Sequence, residues 1–172
     1  MTGERRESPE SFLGDAFKRG DSDERISAWL LHRDQDPCTA QRFSVSKVLM
    51  RSLLEAASDP GSQLKAALYA EIERRKGLLQ RFCGAGEKSE PLRLTMQAGC
   101  LYGVQAYCND HGWPKGMVAR LFYQLYNKDV VDEDGFGVWR EDTNDSTPGK
   151  DKALLQASEF LAWLDEAPAA SW

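Results

Sequence analysis

Isoleucine is almost missing from this chain: it occurs only at Ile26 and Ile72. β-Branched residues nowhere alternate with polar ones over the length of a strand, so a sheet has little to be built from. Histidine occurs only at His32 and His111, and the four cysteines, Cys38, Cys83, Cys100 and Cys108, form no C-x-x-C pair. The common zinc frameworks therefore lack their ligands, and the thiols are expected to be reduced and mostly buried; no metal or other cofactor is expected. There is no glycine-rich phosphate loop, no nucleophile elbow and no H-E-x-x-H. His32 ends an amphipathic stretch, His111 precedes Gly112 in a turn, and neither has an obvious partner nucleophile, so catalysis is not expected. No apolar run approaches the ~20 residues of a membrane helix. Met1 to Ser8 is charged and lacks the apolar core of a signal peptide, which points to a cytoplasmic protein.

What is present is a chain of 172 residues, 41% hydrophobic and 28% charged, enough for one domain with a real core. Its net charge of −5 is unevenly spread. Residues 129–166 hold 11 carboxylates against 3 cations, net −8, while residues 1–128 hold 19 cations against 16 carboxylates, net +3. An acidic pole of this kind attracts cationic partners, disfavours nucleic acid locally, and is weakened by salt. The same charges would also serve as a solvated face that keeps the protein in solution.

Strong helix formers dominate, and apolar residues recur at helical spacing. Ser8-Pro9-Glu10 opens a first helix with Phe12, Leu13, Ala16 and Phe17 on its apolar face, and Gly20 ends it. Asp21 with Glu24 resembles a capping box before Ile26, Trp29 and Leu30. After a break at Asp34–Pro37 come a stripe at Val45, Val48, Leu49, Leu53, Ala56 and Ala57, then a turn at Asp59-Pro60-Gly61. Leu64 to Phe82 follows, with Gly77 placed to bend or split it. Further stripes are Leu94, Ala98, Leu101, Val104 and Cys108, then Met117, Leu121 and Leu125 with Val118, Phe122 and Tyr126 beside them. A last helix runs from about Lys150 to Ala167. Eight to ten short helices joined by short turns pack antiparallel. The expectation is an all-α, HEAT-like solenoid of stacked antiparallel helix pairs spanning 9–167, with a flexible 1–8 and a short tail at 168–172; a compact irregular bundle is the alternative.

Two acidic–aromatic segments stand out. One is Asp132-Glu133-Asp134-Gly135-Phe136-Gly137-Val138-Trp139-Arg140-Glu141-Asp142, and the other is Phe160-Leu161-Ala162-Trp163-Leu164-Asp165-Glu166-Ala167. Each has Phe three residues before Trp, so on a helix each buries an aromatic pair while its carboxylates stay in water. The candidate partner-binding residues are Asp132, Glu133, Asp134, Phe136, Trp139, Glu141, Asp142, Phe160, Trp163, Asp165 and Glu166. One exposed aromatic edge per segment could anchor a partner. Gly135 and Gly137 weaken the first helix. A second candidate surface is the basic cluster Arg74, Arg75, Lys76 and Arg81, read either as an RNA contact or as a solvated helical face with Glu71 and Glu73.

With those residues in view, the stretch Trp113–Ala167 resembles the C-terminal two-tryptophan domain of the eukaryotic translation initiation factor 4 gamma family. The strings that carry the likeness are WPKGM, LFYQLYNKDVVDEDGFGVWRED, PGKDKALLQ and EFLAWLDEA. The same domain type occurs in translation initiation factor 5 and in the epsilon subunit of initiation factor 2B. The resemblance implies a HEAT-like helical fold, no catalysis, and binding to lysine-rich segments of the beta subunit of initiation factor 2. In the factor 4 gamma branch it also implies docking of a mitogen-activated-protein-kinase-interacting kinase. The family's chain continues after the second box into a glutamate-rich tail and has further domains upstream. This sequence instead ends Ala167 to Trp172, so weaker attraction for a basic partner is expected, from an excised domain or a short relative.

Overall fold

The computed structural model describes residues 7–33, 39–58 and 65–166, and every regular element in them is helical. The helices are α1 (Pro9–Arg19), α2 (Asp23–Arg33), α3 (Thr39–Ala57), α4 (Lys65–Arg74), α5 (Lys76–Phe82), α6 (Glu90–Asp110), α7 (Met117–Asn127), α8 (Glu133–Glu141) and α9 (Lys150–Glu166). The expected break at Asp34–Pro37, the turn at Asp59–Gly61, Cys38, Leu64, residues 1–6 and the tail lie outside the described residues.

Local chemistry sets the boundaries. The Ser8 hydroxyl accepts from the Ser11 N–H at 3.1 Å, Pro9 occupies the first turn, and Gly20 closes α1 in the left-handed region at φ 76°. The cap of α2 differs from the expected one. Ser22, not Asp21, accepts the N–H groups of Arg25 (3.1 Å, hydroxyl) and Ile26 (3.1 Å, carbonyl). Asp21 is drawn away by Arg19, whose guanidinium lies 2.8 Å from its carboxylate. The segment after Leu64 does split, at Arg75, two residues before Gly77.

Neighbouring elements form pairs: α1 with α2, α3 with α4 and α5, α6 with α7, and α8 with α9. Between pairs, α1, α3, α6 and α8 pack in sequence as one layer, while α2, α5 and α4, α7 and α9 form the other. This two-layer stack is the HEAT-like arrangement expected of short antiparallel helices, each burying one face against its partner and its neighbours. The thiols of Cys83, Cys100 and Cys108 are unpaired and buried in it.

The stack pivots on α6. Its residues from Met96 to Cys108 are all buried, so the anticipated single stripe at Leu94, Ala98, Leu101, Val104 and Cys108 understates the helix. Its neighbours reach it because two glycines clear the way. A Cβ on Gly99 would lie 2.6 Å from the Phe43 carbonyl oxygen, and one on Gly103 would lie 2.6 Å from that of Lys47. The backbones of α3 and α6 thus come close at these glycines, with the Ser46 hydroxyl in the space a Cβ on Gly99 would need. No described helix is long and apolar enough to cross a membrane.

Candidate interface at the acidic end

The first acidic–aromatic segment folds as α8, and its N-terminus is built around Asp132. The Asp132 carboxylate accepts the Gly135 N–H at 3.1 Å, capping the helix. Gln97 of α6 binds the same residue twice: its amide donates to the carboxylate at 3.2 Å and its oxygen accepts the Asp132 N–H at 3.2 Å. Gly135 then presses against this glutamine; a Cβ there would lie 2.8 Å from the Gln97 Cβ. Gly135 therefore docks α8 on α6, where a weakening of the helix was expected. A Cβ on Gly137 would meet nothing within 4 Å.

Asp132 also accepts a close hydrogen bond from Arg93, whose guanidinium lies 3.7 Å from Asp134 as well. Beside them α7 ends at an unusual turn. Asp129 adopts φ 58°, the left-handed region, and the Val130 N–H returns to the Leu125 carbonyl at 2.9 Å. The outcome is an open cleft of about 700 Å³ lined by Ala85, Gln97, Tyr126, Asn127, Val131 and four carboxylates, Asp129, Asp132, Glu133 and Asp134. Glu133 and Asp134 are exposed, and the Tyr126 hydroxyl donates to Glu133 at 3.4 Å.

The aromatic pairs are packed unequally. Phe136 and Trp139 are buried, with 1% and 0% of their surface exposed, so the first segment offers no aromatic edge to a partner. Phe122 makes an edge contact to Trp139 at 4.9 Å, and Phe136 makes one to Phe160 of the second segment at 5.0 Å. Trp163 is only half-buried, edge-on to Tyr126 at 5.7 Å and to Tyr123 at 6.3 Å. Tyr126 lines the cleft, so the two segments meet through it.

Not every carboxylate faces outward unopposed. Asp142 accepts the Tyr102 hydroxyl at 2.5 Å and the Asp145 N–H at 3.2 Å. The Tyr102 bond leads in holding its carboxyl below the usual range, against the opposing effect of burial, with backbone N–H groups and Lys150 adding to the lowering. Lys150 donates to the carbonyls of Trp139 and Asp142 (2.9 Å for the latter) and to the Tyr102 hydroxyl at 2.8 Å, and lies 4.6 Å from the Trp139 ring centre. The Trp139 indole donates to Gln105 at 3.0 Å, and the amide of Gln105 donates to the carbonyls of Thr147 and Pro148, each at 3.0 Å. Asp142 is thus a fastening for the loop 142–149. Asp165 is paired with Arg140 at 2.9 Å. Glu141 and Glu166 are exposed. The acidic pole is therefore partly neutralised by Arg93, Arg140 and Lys150; of its exposed carboxylates, Asp129, Glu133 and Asp134 share one cleft. Asp129 was counted in the pole but not singled out as a site; an Asp just after a helix end was the available signal.

The basic cluster does not hold together. Arg75 is 3% exposed and is bound by Glu71 at 3.1 Å, Asp23 at 2.7 Å and the Asp21 carbonyl at 2.7 Å, with its guanidinium over the Phe17 ring. It fastens α2 to the α4–α5 junction and is not available to RNA, which corrects that part of the expectation. Arg74 is paired with Glu71 at 2.7 Å. Lys76 and Arg81 are exposed.

Comparison with known proteins bears on this same end of the chain. The family model W2, described as eIF4-gamma/eIF5/eIF2-epsilon, matches residues 96–171. The chain is similar to eukaryotic translation initiation factor 4 gamma 2 of Mus musculus and of Homo sapiens, 32% identical over 127 residues in each. The matched stretch covers 70% of this chain and 14% of each relative, so the chain spans a small part of their length. Gln97, Asp129, the whole of α8 and the whole of α9 fall inside the segment that is similar to the W2 model.

Proposed function

We propose that this chain is a translation-initiation scaffold domain, and that the cleft between the end of α7 and the start of α8 holds lysines from an extended segment of another initiation factor. The beta subunit of initiation factor 2 is the partner this reading names. The observation that carries it is the convergence of Asp129, Glu133 and Asp134 on one open cleft inside the W2 segment. Charge-assisted hydrogen bonds to ammonium groups, with field-driven encounter, are what such a lining offers. The strings WPKGM and PGKDKALLQ favour the branch of the family that includes death-associated protein 5. On this reading the protein acts in the cytoplasm and without catalysis.

The test is binding of a synthetic oligolysine peptide to the chain and to a variant carrying Asp129→Lys, Glu133→Lys and Asp134→Lys. Asp132 is left intact because it caps α8. Loss of more than about tenfold in affinity with an unchanged melting curve is expected. Undiminished binding at physiological salt would end the cleft assignment. Competition between the peptide and the basic tail of a mitogen-activated-protein-kinase-interacting kinase then decides whether that kinase docks at the same cleft.

A further inference from the structure

The acidic cleft does not stop at Asp129. A second open cleft of about 540 Å³ adjoins it, sharing Ala85 and Asp129, and is lined further by Gly77, Gln80, Arg81 and Gly86. Its walls are fixed to one another, because the Gln80 amide donates to the Lys128 carbonyl at 2.9 Å and ties α5 to the end of α7. Gly77 and Gly86 leave bare backbone along it: a Cβ at either would meet nothing within 4 Å. Arg81 supplies its charge. This side chain is exposed, with its guanidinium 5.6 Å from the ring centre of its neighbour Phe82, and it forms no ion pair among the described residues. Its cluster mates Arg74 and Arg75 are both engaged by carboxylates.

We propose that the two clefts form one bipolar groove, and that its partner is a peptide segment in which a lysine stretch is flanked by a carboxylate that pairs with Arg81. The proposal rests on the lysine-binding reading of the acidic cleft and adds a polarity to it. A uniform lysine run long enough to pass Asp129 meets Arg81 as a like charge, whereas a flanking Asp or Glu meets an unopposed guanidinium. The groove thereby distinguishes among basic segments, and it fixes the direction in which one lies. Arg81 precedes residues 96–171, so this end of the groove lies outside the W2 match.

The experiment uses the whole chain and three synthetic peptides: an oligolysine run, the same run preceded by two glutamates, and the same run followed by two glutamates. Affinities are read by fluorescence anisotropy at physiological ionic strength, for the native chain and for Arg81→Glu. One flanked peptide is expected to bind the native chain about threefold tighter than the plain run, the size of an exposed ion pair, although it carries less positive charge. In Arg81→Glu that order reverses. If both flanked peptides bind the native chain more weakly than the plain run, net charge alone governs and the proposal fails. If the preference survives in Arg81→Glu, the carboxylate is read elsewhere and the proposal also fails. Should the plain run itself ignore charge reversal at Asp129, Glu133 and Asp134, the lysine-binding reading falls first and takes the groove with it.

Discussion

The two acidic–aromatic segments carry the same Phe-x-x-Trp spacing and similar flanking charge, yet they end in different surroundings. In α8 both rings are buried, the indole N–H has a partner in Gln105, and the leading carboxylates border an open cleft. In α9 the Phe is buried, the Trp is only half-buried and packs edge-on with Tyr123 and Tyr126, and Asp165 is turned toward Arg140. The periodicity decides which residues share a face; the neighbour on the other side decides how deep that face goes. α8 lies against α6, buried on all sides from Met96 to Cys108, while the end of α9 lies at the edge of the stack beside the C-terminus of α7.

This contrast is open to direct attack. Trp139→Ala should cost about 3–5 kcal/mol, since it removes a fully packed ring and strips Gln105 of a donor, and Trp163→Ala clearly less. Urea denaturation of the two variants measures both, and equal losses would erase the distinction. For binding the second segment should again matter less. Glu133→Lys with Asp134→Lys should weaken an oligolysine peptide by about tenfold, and Asp165→Lys with Glu166→Lys by about threefold or less, because Arg140 already opposes Asp165. Arg93→Gln tests the chain's own cation at the cleft. It frees Asp134 and should strengthen peptide binding about twofold to threefold in a calorimetric titration. Asp129→Gly should separate stability from binding: melting rises, by about 0.5–1 kcal/mol at most, because glycine relieves the left-handed backbone, while peptide affinity drops.

Acid provides a last, smaller comparison. The carboxyl of Asp142 titrates below its ordinary value in the folded protein. The unfolded chain therefore takes up its proton first as pH falls, so the stabilisation is whole above the ordinary carboxylate range and disappears as pH drops through the folded value. Asp142→Asn should flatten the acid limb of a stability–pH profile relative to the native chain.

Much of the fold was readable because amphipathic helices announce themselves: Phe12, Leu13, Ala16 and Phe17, and Met117, Val118, Leu121, Phe122 and Leu125, are buried as their spacing required. Long-range partners were not readable. Nothing local distinguishes Arg75, buried under Asp23 and Glu71, from Arg81 on the surface six residues later. Gln97, which orders the first turn of α8, carries no signal of its own. The α3–α6 contact did leave a trace, a pair of glycines four residues apart in Gly99 and Gly103, whose meaning depends on a helix far away in sequence. Charge counting likewise found the acidic pole but could not tell which carboxylates Arg93, Arg140 and Lys150 would occupy.

The Lys150 ammonium has a consequence for how this stack comes apart. Helical arrays ordinarily fray from their last repeat inward, since a terminal unit has a neighbour on one side only. Here one half-buried cation grips the carbonyls of both Trp139 and Asp142, where α8 gives way to the loop leading into α9. Parting α9 from α8 would strip that ammonium of both carbonyls, and parting the pair from α6 would strip it of the Tyr102 hydroxyl, so amide exchange at the close of α8 should be as slow as in α6.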